Sequence, residues 1–111
     1  MPDTVTPPEA VQAAARRGLE LRAEQPPSNR GGTSVGLRRA AQLANGQPVS
    51  LSTLKRMVSF FARHAVNKSA PGWGVDSPGY QAWLLWGGND GRTWAARMIR
   101  RLERKAKRTT S

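Results

Sequence analysis

Apolar residues recur at steps of three and four along most of the chain. The first such row runs through Val11, Ala14, Ala15 and Leu19, continues at Arg22 or Ala23, and stops before Pro26-Pro27. Ahead of it, Thr6-Pro7-Pro8-Glu9 offers a capping hydroxyl, prolines for the first turn and a glutamate three residues on, which predicts a helix over about 7–24. Gln25 to Gly32, with two prolines, Ser, Asn and two glycines, has the composition of a linker that is partly mobile. Thr33 caps a second, short helix through Val35, Leu37, Ala40, Ala41, Leu43 and Ala44, which Asn45-Gly46 ends in a left-handed stop. Ser50 caps a third, whose positions Leu51, Leu54, Met57, Val58, Phe61 and Ala65 mark it as the core helix. A loop follows at about 66–77, with Trp73 and Val75 turned inward as anchors. Ser77-Pro78 opens a short apolar helix, Tyr80 to Trp86, closed by Gly87-Gly88. Asp90 caps the last, where Trp94, Ala95, Met98, Ile99 and Leu102 form the buried stripe.

No alternating run long enough to make a strand competes with this pattern, and no repeat is visible. The expected fold is all-α: a compact bundle of about five short helices ending in a basic C-terminal helix. Its organisation is read as a flexible N-terminus over 1–6, a single helical domain over 7–104 and a basic tail over 105–111. At 111 residues there is material for one core, not two.

Charge changes the picture. Eighteen Lys and Arg against seven Asp and Glu give a net charge of +11, which calls for an anionic partner. The excess is confined to two segments. Residues 30–68 hold seven basic residues and no acid, and residues 92–111 hold eight against one. The absence of cysteine excludes disulfides, thiolate nucleophiles and thiolate-bound zinc, and a reducing cytosol is expected. No stretch approaches a membrane span, and the N-terminus lacks the charged-then-apolar order of a secretion signal, so a soluble, unsecreted protein without membrane contact is expected.

The last helix carries the strongest signal. Arg97, Arg101, Arg104 and Arg108 follow helical spacing along one face for about 16 Å, and Arg100, Lys105 and Lys107 widen that strip. Such a row suits successive phosphates of a nucleic acid, although a solvated face serving the helix dipole uses the same residue types. A second signal is the helix pair about Asn45-Gly46, which resembles a helix-turn-helix with a turn about two residues too long. Simple packing of the two helices as a hairpin is the plainer alternative. If the third helix does enter a groove, Ser52, Thr53 and Arg56 are the candidates for base readout. Arg38, Arg39, Lys55 and Arg63 then join Arg56 as phosphate contacts.

Catalytic chemistry is thinly supplied. His64, the only histidine, has no cysteine or second histidine beside it and few carboxylates to work with, so a structural role is expected, with no catalytic residue, metal or cofactor. Trp73, Trp83, Trp86, Trp94 and Tyr80 could stack bases, but in so small a domain they are expected to build the core, with Trp73 partly exposed. Gly87-Gly88-Asn89-Asp90-Gly91 lacks the Lys-Ser/Thr pair of a nucleotide loop and is better read as a close helix corner.

Several runs together resemble a known family: Arg30-Gly31-Gly32-Thr33-Ser34-Val35-Gly36, then Arg39 to Gly46, then Arg56-Met57-Val58-Ser59-Phe60-Phe61-Ala62-Arg63-His64, and Leu85-Trp86-Gly87-Gly88 followed by Gly91 and Trp94-Ala95. Over about 10–102 the chain resembles a small all-helical domain of uncharacterised function found in tailed-phage proteins, alone or joined to head-maturation and other virion-related proteins. Members often carry an acidic residue where this chain has Asn67. The resemblance implies a viral, non-enzymatic accessory protein, acting in the host cytoplasm or associated with the virion. Combined with the charge pattern, it leads to an expected binder of nucleic acid, DNA ahead of RNA, with low sequence specificity. The alternative is an interaction factor that docks its basic face on an acidic host or virion protein.

Overall fold

The computed structural model describes residues 4–69, 71–74 and 77–110, with the side chains of 108–110 left out. Among them are five α-helices: α1 (Glu9–Glu24), α2 (Ser34–Ala44), α3 (Leu51–His64), α4 (Pro78–Leu85) and α5 (Gly88–Thr110). Two 3-10 turns, Pro27–Asn29 and Ala65–Ser69, join them. The all-α expectation holds.

One feature departs from it. Thr4–Val5 (β1) pairs antiparallel with Val49–Ser50 (β2), Thr4 opposite Ser50 and Val5 opposite Val49. Part of the segment expected to be loose is thus tied to the start of α3, and Pro7 behind it is fully buried. A two-residue ladder leaves no alternation to read in a sequence.

Local signals explain most helix ends. Thr33 Oγ1 accepts from the Gly36 amide, Ser50 Oγ from Thr53 and Ser77 Oγ from Tyr80, each satisfying an amide with no helical partner. Gly46 adopts φ +66°, the stop expected after α2. The start of α1 differs. Pro8, not Thr6, occupies the cap and makes no side-chain bond, and Glu9 pairs with Arg16 instead of reaching back. The Pro8 carbonyl accepts from the Val11 and Gln12 amides. At the other end, α5 starts at Gly88 with Asp90 inside its first turn rather than at the cap.

The helices form two layers that share one core. α1 packs on α4 and α2, α3 packs on α5, and α1 also reaches α5. The buried stripe of α1 runs through Val11, Ala15, Gly18 and Leu21, so the row expected at Leu19 lies one residue off. Gly18 shows why: a Cβ there would stand 2.8 Å from the Leu85 amide nitrogen and 2.9 Å from Leu84 Cβ, so α1 and α4 meet backbone to backbone. Leu43, Leu54, Met57, Phe61 and Leu85 are fully buried, each contributing about 1.5–3 kcal/mol. Trp83, Trp86 and Trp94 are buried with them, the structural role expected of them, and Trp73 is half-buried, edge-on to Tyr80 and Trp83. Val75 lies outside the described residues. The Gly87-Gly88 corner, with φ +110° and +66°, turns α4 into α5, and a Cβ on Gly91 would stand 2.9 Å from the Trp86 carbonyl oxygen.

The proline-rich linker is fastened rather than left to itself. Gln81 on α4 is fully buried; its Oε1 accepts from the Gly31 amide at 2.9 Å and its Nε2 donates to the Asn29 carbonyl at 3.0 Å. Arg22 Nε donates to the Gly31 carbonyl. Gln81→Leu keeps the volume but removes the partner of the buried Gly31 amide and one partner of the half-buried Asn29 carbonyl, and is expected to cost about 2–3 kcal/mol in urea denaturation. A cost below about 0.5 kcal/mol would mean that solvent satisfies both groups.

Candidate nucleic-acid interface

Leu102 is the last buried side chain of α5 among the described residues. Beyond it, residues 103–107 are all exposed, and the helix runs on to Thr110. The molecule is elongated, 52 × 27 × 21 Å. The tail expected over 105–111 is therefore a helical extension as far as it is described, and a basic row along it keeps helical register.

On this helix Trp94, Ala95 and Leu102 face the core, while Arg97, Arg100, Arg101, Arg104, Lys105 and Lys107 are exposed. Arg97, Arg101 and Arg104, at steps of four and three, share one face over about 10 Å, with Arg100 beside them. The ion pairs among the described residues are Arg16–Glu9, Arg17–Glu20 and Lys55–Glu103, so none of these four arginines pairs with a carboxylate among the described residues. The Arg108 side chain lies outside the described residues.

The second basic segment comes together elsewhere, around a groove of about 650 Å³ between the start of α2, α3 and α4. Lys55, Arg56, Ser59, Arg63 and His64 line it from α3, and no lining residue is acidic. Arg56, Ser59 and Arg63 recur at steps of three and four on one exposed stripe. Lys55 reaches Glu103 at 3.8 Å, a pair half-open to solvent on both sides and hence weak. Gly32, Thr33, Val35, Ala82 and the aromatic pair Phe60 and Trp86 supply the rest of the wall.

A row of rings underlies the groove. Phe60 stacks on Trp86 with centroids 4.8 Å apart and planes 12° from parallel, and lies 4.5 Å from the His64 ring. His64 is half-buried, with Nδ1 3.2 Å from the Asn67 side-chain nitrogen. The amide donates there, so a neutral imidazole carries its proton on Nε2. Arg39 lies over the Trp86 ring at 5.7 Å and donates to Gln42 Oε1, yet its buried Nε has no partner. Burial, then the charges of Arg56 and Arg38, push its guanidinium below the ordinary arginine value. Three positive groups are held together here without a carboxylate, an arrangement that favours an incoming anion.

The structure corrects the plainer alternative, packing of α2 and α3 as a hairpin, and one of the candidates for base readout. α2 packs chiefly on α1 and α4 while α3 packs on α5, so the two helices do not form a packed hairpin. Thr53, expected to read bases, is 9% exposed, and its hydroxyl accepts from Ser50 Oγ at 3.1 Å while its amide donates to the same atom. Capping claims it. Ser52 and Arg56 are exposed, as are Arg38 and Arg63, and Arg39 is half-buried. The groove's apolar members, Val35, Phe60, Ala82 and Trp86, were not anticipated as a site; Val35, at 41% exposure, is the one that departs visibly from a core role.

Among the described residues no group of three or more His, Asp or Glu could hold a metal ion, and no helix is long and apolar enough to cross a membrane. Compared with models of known protein families, with curated proteins and with solved structures, the chain matches none.

Proposed function

We propose that this chain is a non-enzymatic nucleic-acid-binding protein of phage accessory type, which holds DNA mainly through phosphate contacts and with little sequence preference. One observation carries the reading: Arg97, Arg100, Arg101 and Arg104 are all exposed on α5, and no carboxylate among the described residues pairs with them. A chain that needed only solubility gains nothing from gathering guanidinium groups on one helix, since dispersed charge serves as well. Arginine forks also match phosphate geometry better than lysine does, and six of the eight basic residues over 92–111 are arginine. The groove arginines, Arg56 and Arg63 with Arg38 and Arg39 behind them, supply a second set of contacts.

Gel-shift titration against single-stranded and duplex DNA tests this. Binding at micromolar or better concentration is expected at about 50 mM salt, fading as salt rises because each neutralised phosphate releases counterions. No shift with either DNA would overturn the reading in favour of an acidic protein partner, expected host or virion, to be sought by pull-down from nuclease-treated lysate.

A further inference from the structure

We infer that the groove between α2, α3 and α4 seats one unstacked base of a single strand, and, resting on the nucleic-acid reading above, that the protein prefers single-stranded to duplex DNA. Major-groove readout needs a convex helix whose exposed stripe can enter the duplex. The stripe of α3 does the opposite: Arg56, Ser59 and Arg63 look into a concavity whose other walls are the start of α2 and Ala82 of α4. A duplex edge cannot follow them there, whereas a single nucleotide can.

The chemistry of the groove divides as a nucleotide does. Its apolar part is Val35 with the rims of Phe60 and Trp86, which are buried and stacked on each other, and Val35 is one of two large apolar side chains left exposed among the described residues. Its polar part is cationic, with no carboxylate in the lining. Arg56 and Arg63 stand two turns apart, about 10 Å, so one guanidinium is available to the phosphate on either side of a seated base. A solely anionic ligand leaves the apolar wall unused, and a solely apolar one leaves the arginines uncompensated. Apolar contact of this kind carries no hydrogen-bond readout of the base, in keeping with weak selectivity. The strip on α5 then holds the strand leading away from the groove without regard to strandedness.

Fluorescence anisotropy of a labelled DNA of about twelve nucleotides, single-stranded or annealed, with the full chain and with Val35→Asp, separates these roles. Val35 lies in the first turn of α2, where a carboxylate suits the helix dipole, so the variant keeps its fold. The expected result is single-strand affinity at least about tenfold above duplex, with Val35→Asp removing that advantage and changing duplex affinity by less than about twofold. Equal or tighter duplex binding, or a variant that weakens both DNAs alike, overturns the groove assignment while leaving the nucleic-acid reading intact. Competition by thymidine monophosphate as strong as by the oligonucleotide also overturns it, pointing to a free nucleotide as the ligand. No binding of either DNA overturns both readings.

Discussion

Arg101→Glu with Arg104→Glu is expected to weaken DNA binding roughly hundredfold at about 50 mM salt and to leave the domain folded. Both side chains are exposed and neither belongs to an ion pair among the described residues, so no such pair is lost. Each phosphate contact contributes about one power of ten at this ionic strength through counterion release, and two contacts go. The new carboxylates add repulsion. The salt dependence should flatten as well, by about 1.4 to 1.8 in the log–log slope. Circular dichroism and the urea midpoint serve as the fold control. Unchanged affinity in a folded variant would assign α5 to solubility alone and leave binding to the groove arginines.

Phe61→Ala is expected to cost about 3–5 kcal/mol, a large part of the roughly 5–15 kcal/mol that keeps such a domain folded. Phe61 is fully buried and lies edge-on to Trp83 at 4.8 Å and to Phe60 at 5.4 Å. Its ring also lies 3.7 Å from where a Cβ on Gly91 would stand, so it fills the junction of α3, α4 and the start of α5. Truncation removes the transfer term and leaves a cavity that three helix backbones cannot easily close. Because Phe60 and Trp86 rest on the same cluster, the groove should loosen with the core. Urea denaturation reads the cost directly, and a loss below about 1 kcal/mol would mean the two layers are not packed through this ring.

What could be read from the sequence was local. Thr33, Ser50 and Ser77 each bond an amide three residues away, and Gly46 turns the chain where it stands, so short-range chemistry is enough to find them. Thr6 misled because the two prolines after it moved the cap to Pro8. The row of arginines on α5 was legible for the same reason as the caps, since helical spacing alone aligns residues on one helix. Its exposure needed the structure, because the side on which a helix is covered depends on its neighbours. The groove was out of reach. Val35, Phe60 and Trp86 come from α2, α3 and the corner after α4, and α3 leaves α2 to pack on α5, which no pattern within either helix encodes. Thr53 shows the converse error: a residue type suited to base contact is equally suited to completing a cap, and burial decides between them.

Salt tests the central proposition most directly, because it acts on a polyanion's counterions and hardly at all on apolar or neutral contacts. With four arginines of α5 and two of the groove engaged, the affinity of the full chain for single-stranded DNA should fall with a log–log slope of about −4 to −5 between roughly 50 and 300 mM salt. A slope between zero and about −1 would contradict the account, since no row of guanidinium groups could then be resting on phosphates.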